Sequence, residues 1–199
     1  TSGFAETGEA GAAMQHEIVA TARNGGMRVL GPNCIGTLGV GTGQVTSFSP
    51  LFASPNTELV PGTVGFVSQS GALGYGAVSL AFERGLGLGW VVNTGNEADV
   101  SAVEVMAAMA QMPQCTGVIG YVETLTDMAS LRDLAGLGKP VAILKAGRSE
   151  AGSQAAASHT GSLAVADRVV DAALRQLGIV RADDIEALLD IGSVMGVAR

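Results

Sequence analysis

The chain predicts an α/β fold, a parallel sheet with helices on both faces. From Thr63 onward, short apolar runs of strand length alternate with segments whose apolar residues fall at helical spacing. Such alternation requires right-handed crossovers, and these lay helices on both faces of a parallel sheet. The balance of residues agrees: aromatics make up 4% while glycine reaches 29 of 199, which suits helices packed closely on a sheet with many glycine turns.

In chain order, Thr1 to Phe4 are expected to close a strand, and residues 8–26 form a helix ended by Gly25 and Gly26. Met27 to Leu30 read as a short buried parallel strand broken by Gly31-Pro32-Asn33-Cys34. Residues 41–62, rich in Gly, Thr, Ser, Asn and Pro, read as an irregular linker with a boundary near Pro61. Beyond it, VGFVSQS, LGLGWVVNTG, GVIGYVE and VAILKAG are strands, and Ile179 to Arg181 is a short fifth one. Between them lie helices at GALGYGAVSLAFERG, ADVSAVEVMAAMAQM, Asp127 to Leu137 and 165–177, with a closing helix from Asp183. The division is therefore 1–60, the tail of a βαβ unit plus linker, and 61–199, a parallel α/β domain.

Charge and composition limit the function. A formal net charge of −7 argues against nucleic acid or an anionic membrane as the main partner. No run approaches the length of a membrane span and no basic-then-apolar leader is present, so a soluble cytoplasmic protein is expected. The two cysteines, Cys34 and Cys115, are too few and too unpatterned for a disulfide framework or a zinc site. The first residue is Thr1, not Met, and a piece of a longer protein is expected.

Five stretches carry candidate chemistry. Gly, Ala and Ser dominate Lys145 to Ala164, a composition suited to a close-fitting surface around a phosphate or ligand backbone, and one imidazole, His159, stands at its centre. It can act as a nucleophile, a proton carrier or a metal ligand, or simply bond a carbonyl. Ser68-Gln69-Ser70-Gly71, between a strand and a helix, is either an anion seat at the helix N-terminus or an ordinary serine-capped turn. Asn93 to Asp99 offers a capping or a ligand role, with capping expected of Asp99. Glu123 follows a buried strand, where a carboxylate needs a partner, and His159 is the candidate because His16 belongs to a surface helix. A glutamate bonded to one ring nitrogen fixes the tautomer and raises the nucleophilicity of the other. Lys145 and Arg148 serve an anionic ligand or neutralise nearby acids.

Together GPNC at 31–34, SQSGALG at 68–74, NTGNEADV at 93–100, YVE at 121–123, the His159 stretch and RADDIEALLD resemble the ADP-forming acyl-CoA synthetases, relatives of the succinyl-CoA synthetase α-subunit. The resemblance covers nearly the whole chain and implies a flavodoxin-like, succinyl-CoA ligase-like domain behind the tail of a Rossmann-like CoA-binding one. It also implies a stepwise reaction through an acyl phosphate and a phosphohistidine at His159, supported by Glu123, with Ser70 and the Gly71 N–H donating to phosphate oxygens. Tyr75 falls where succinyl-CoA synthetases contact the carboxylate substrate; Asn33 and Cys34 fall near the thioester; Thr1, Ser2 and Gly3 match a loop that touches CoA.

The ligands so implied are CoA and ATP/ADP with Mg²⁺, the nucleotide on an ATP-grasp domain or subunit outside this chain. An oligomer is expected, and the fragment alone should not turn over. Two other readings stand beside this one. The first is a non-catalytic CoA-sensing module regulating a protein lysine acetyltransferase. The second is a flavodoxin-like binding domain without phosphoryl chemistry.

Overall fold

The computed structural model describes residues 2–53, 58–125, 127–148 and 167–197. Thr1 and the stretch 149–166 that holds His159 lie outside them. Seven strands form one mixed, mostly parallel sheet in the order β2-β1-β4-β3-β5-β6-β7. Its parallel part comprises β3 (Pro61–Ser68), β4 (Leu88–Asn93), β5 (Gly117–Val122), β6 (Val141–Lys145) and β7 (Val180–Arg181). Its helices are α1 (Glu9–Asn24), α2 (Gly71–Glu83), α3 (Ala102–Gln111), α4 (Met128–Gly136), α5 (Asp167–Gln176) and α6 (Ile185–Val197).

Strands β3 and β5 read as continuous apolar runs because both of their faces are covered. On one face α2 and α6 bring Val78, Ala81, Leu188 and Leu189 onto Val64 and Phe66. On the other, Met106 of α3, Leu131 of α4 and Leu174 of α5 meet Val67, Val118 and Ile143. All of these side chains are fully buried, and each of the larger ones is worth about 1.5–3 kcal/mol. The helices start where the chain supplies caps. Ser101 and Glu104 close a capping box on α3, and Asp127 accepts from the Ala129 and Ser130 N–H groups of α4 at 3.0 Å each.

The N-terminal third departs from expectation in three places. Ser2 to Phe4 are not a strand; a short 3₁₀ turn at Ala5–Thr7 leads into α1 instead. Met27 to Leu30 form no strand either, and Met27 is 60% exposed. Their backbone is held by a side chain rather than a ladder: the Val29 N–H donates to Asp99 Oδ2 at 2.7 Å. The stretch read as irregular linker supplies β2 (Gln44–Ser47), which pairs with β1 (Gly36–Gly39) as an antiparallel hairpin, and β1 pairs antiparallel with β4. Glycine and threonine there give no apolar alternation, so the strands exist because β4 offers them an edge.

Candidate functional site at the carboxyl ends of β3, β4 and β5

From β3 the chain crosses to β4 on one side, then returns past β3 to reach β5 on the other. The crevice outside the carboxyl ends of strands where direction switches in this way is where open α/β sheets hold ligands. Here it is a cleft of about 370 Å³.

At the end of β3, Ser68 is buried and its hydroxyl donates to the Ser70 carbonyl at 2.7 Å. Ser70 is the N-cap of α2, its hydroxyl accepting from the Leu73 N–H at 3.4 Å. The first turn of a helix leaves its N–H groups without intrahelical partners, and those of Gly71 and Ala72 find none among the described residues. Both residues line the cleft, so the positive end of α2 faces it. Gly71 also has a steric reason: a Cβ there would stand 2.6 Å from Ile35 Cγ1.

The loop after β4 spends its polar groups inside the protein. Asn93, 1% exposed, donates to the carbonyls of Ser68 at 2.7 Å and Gln69 at 3.2 Å, and accepts the Ile35 N–H at 2.6 Å. Asn96 gathers the N-terminal part: its amide donates to Glu6 Oε2 at 2.5 Å and Gln15 Oε1 at 3.0 Å, and accepts from Asn33 Nδ2 at 3.2 Å. Desolvation opposes ionisation of Glu6, but the Asn96 amide and the N–H groups of Gly3, Glu6 and Phe4 outweigh it and hold its pKa at about 2. Glu97 accepts from the Thr94 hydroxyl at 2.7 Å and the Ala102 N–H at 2.8 Å, yet burial pushes its pKa up. Asp99 does not cap α3, whose N-cap is Ser101; it pairs with Arg28 and Arg23 and is held well below the usual carboxylate range by Arg28 first, then Val29 and Arg23.

At the end of β5, Glu123 and Thr124 line the same cleft as the start of α2. Sequence positions 33, 34, 70, 71 and 123 thus come from three separate segments to line one cavity: Asn33 and Cys34, Ser70 and Gly71, and Glu123. Ser2 and Gly3 lie on the adjoining N-terminal loop, which Glu6 ties down by accepting the Gly3 N–H at 2.7 Å. Tyr75 does not line the cleft. It is 5% exposed, edge-on to Phe52 with ring centroids 5.9 Å apart, and its hydroxyl has no partner in hydrogen-bonding geometry among the described residues. Desolvation raises its pKa, with Ser47 opposing.

Lys145 and Arg148 do not line the cleft, but Lys145 lies within electrostatic reach of Glu123, which does. Arg148 is paired with Asp183, and burial lowers the pKa of Lys145, whose ammonium donates to the Ala146 carbonyl at 2.6 Å. Among the described residues no cluster of three His, Cys, Asp or Glu side chains is arranged to hold a metal ion, and no helix is long and apolar enough to cross a membrane.

Sequence reasoning passed over Gln69, Phe48 and Glu6, all of which line the cleft. Gln69 had a signal, a long amide inside the SQSG turn; Phe48 and Glu6 had none, because only the hairpin and the N-terminal loop bring them there.

A doubly wound sheet whose switch-point cleft is lined by a helix N-terminus and a glutamate defines a class: α/β proteins that bind anionic ligands at strand ends. The succinyl-CoA ligase like flavodoxin domain matches residues 61–195, and the chain belongs to that family. It is 37% identical over 193 residues to the α subunit of ADP-forming acetate–CoA ligase I of Pyrococcus furiosus, covering 96% of this chain and 40% of that protein. It is 35% identical to the ADP-forming 4-hydroxybutyrate–CoA ligase of Nitrosopumilus maritimus, covering 96% of this chain and 27% of the other. The acetyl-coenzyme A synthetase 1 of Candidatus Korarchaeum cryptofilum, solved with phosphate and ADP, superposes with a TM-score of 0.90 at 33% identity, over 100% of this chain and 42% of that one. The chain thus spans less than half the length of these relatives.

Proposed function

We propose that the chain is the phosphoryl-carrying part of an ADP-forming acyl-CoA synthetase, interconverting acid, ATP and CoA with acyl-CoA, ADP and phosphate. The observation that supports this most is the cleft itself, lined by both Glu123 and the start of α2, whose Gly71 and Ala72 N–H groups have no acceptor among the described residues. A helix N-terminus provides donors for phosphate oxygens without a lysine that would hold the group too tightly.

In this reading phosphate attacks the acyl-CoA carbonyl, CoA leaves as the thiol, and an acyl phosphate forms. His159 then takes the phosphoryl group and releases the acid; ADP takes it from the phosphohistidine as ATP, restoring the imidazole. Ser70 and the N–H of Gly71 hold the phosphate oxygens. Glu123 accepts a hydrogen bond from the His159 ring and so fixes the tautomer. Asn33 and Cys34 face the thioester side of the cleft, and the loop of Thr1, Ser2 and Gly3 reaches toward CoA. The division near Pro61 separates this CoA side from the phosphohistidine domain. Nucleotide and Mg²⁺ belong on an ATP-grasp domain or subunit that completes an oligomeric, cytoplasmic enzyme. The relatives named above are ligases and synthetases, which gives the regulatory reading no support.

The test is labelling. The full-length protein, with its nucleotide-binding partner, is mixed with Mg-ATP labelled at the γ-phosphate. An acid-labile, base-stable label mapping to His159 is expected; its absence from a protein that still binds CoA overturns the reading. His159→Ala should abolish the label and leave CoA binding within about two-fold.

A further inference from the structure

The pairing of the parallel strands β3 and β5 ends at Ser68 and Tyr121, and the backbone ladder stops with the bond from the Gln69 N–H to the Tyr121 carbonyl at 3.1 Å. The side chain of Gln69 continues it. Its Oε1 accepts the N–H of Glu123 at 2.6 Å and that of Thr124 at 2.9 Å, while its Nε2 donates to the Thr124 carbonyl at 3.0 Å. One primary amide thus supplies both acceptor and donor, as a backbone peptide would, to the loop that carries Glu123. Gln69 is itself anchored, because Asn93 of β4 donates to its carbonyl at 3.2 Å. On its other side the next two residues are the N-cap and first residue of α2.

We propose that Gln69 is a positioning residue for the phosphoryl-transfer site. Its amide sets the distance between the Glu123 carboxylate and the donors at the start of α2, so that an imidazole between them meets both at once. The proposal rests on the reading of Glu123 given above. A carboxylate at this position keeps the two accepted bonds, loses the donated one and brings a second charge up to the Glu97 carboxyl, which the Gln69 side chain also meets.

A double-mutant cycle in the full-length enzyme tests this, with the single-turnover rate of His159 phosphorylation from labelled Mg-ATP as the readout. Gln69→Ala should slow that step about 10- to 100-fold, the cost of displacing a catalytic group by roughly an ångström, with the KM for ATP and the affinity for CoA within about two-fold. Gln69→Glu should lose less. In the Glu123→Gln background, Gln69→Ala should add less than about two-fold, since its effect runs through Glu123. The same loss in both backgrounds, or no loss in either, overturns the proposal. If Glu123→Gln alone runs at the wild-type rate, the assigned role of Glu123 fails instead, and a slow Gln69→Ala then marks Gln69 as acting on something else. Should Gln69→Ala not fold, Gln69→Glu carries the same cycle.

Discussion

The turn after β3 and the turn after β4 occupy equivalent places, each at the carboxyl end of a buried parallel strand, and they use their polar groups differently. After β4, Asn93, Thr94, Asn96 and Asp99 bond to distant parts of the protein, and Glu97 bonds to Thr94 and the start of α3. After β3, Ser68 and Ser70 bond locally and Gln69 reaches the loop after β5, while the N–H groups of Gly71 and Ala72, two residues that line the cleft, find no acceptor among the described residues. Richness in polar residues therefore does not mark a binding loop. What marks it is donors left over once the fold has taken its share. The β4 loop is the bracket that holds the N-terminal segment in place; the β3 turn is the seat proposed for phosphate.

The largest effect is expected where the bracket meets the GPNC turn. Gly95 has φ 59°, and a Cβ there would lie 2.3 Å from the Pro32 carbonyl oxygen and 2.5 Å from that of Asn33, backbone atoms that cannot swing aside. Gly95→Ala should cost about 3 kcal/mol or more in urea unfolding. A loss under about 1 kcal/mol would show that the N-terminal segment moves freely against the sheet.

Next, Asp99 and Glu97 sit two residues apart with opposite shifts, so their contributions to stability slope in opposite directions with pH. The folded-state pKa of Asp99 is depressed; its contribution is fully present above the ordinary aspartate value of 3.8 and is lost as pH falls below it. The folded-state pKa of Glu97 is raised, so its ionisation costs stability as pH climbs from 4.5 through the raised value. Asp99→Asn should therefore destabilise at pH 7 and flatten the acid limb of a denaturation series. Glu97→Gln should flatten the curve above about pH 4.5, where the wild-type carboxyl would have to ionise. The same slope in wild type and Glu97→Gln would show that the carboxyl is solvated.

A smaller change is expected on the seat. Ser70→Ala removes the α2 cap at a cost of about 1 kcal/mol and weakens phosphate binding several-fold by titration calorimetry. Unchanged phosphate affinity would move the anion site elsewhere. The smallest belongs to Tyr75. Since its hydroxyl is buried and without a partner in bonding geometry among the described residues, Tyr75→Phe should shift stability by no more than about 1 kcal/mol and leave the KM for the acid within about two-fold. A larger rise in KM would assign that hydroxyl to the substrate.

Much of the fold is legible in the amino-acid sequence. Among the described residues, five parallel strands and six helices can be read there because their apolar residues follow a period that burial on a sheet enforces. That Gly71 and Glu123 line the cleft is legible because they follow such strands closely, and the end of a strand at a switch point is fixed by topology. His159 stands out by composition and motif alone and lies outside the described residues.

What sequence by itself determined is thus the alternation, its caps and the places where strands stop, all of which are local and depend on residues within one or two turns. Tertiary structure alone decided the rest. The glycine- and threonine-rich hairpin became strand because β4 had an unpaired edge. Asp99 became an anchor for Arg28 and Val29, 71 and 70 residues away, rather than a cap. Gln69 became the continuation of a ladder because β5 lies beside it. These pairings join residues far apart in the chain, and no local period encodes which distant group will stand within hydrogen-bonding reach.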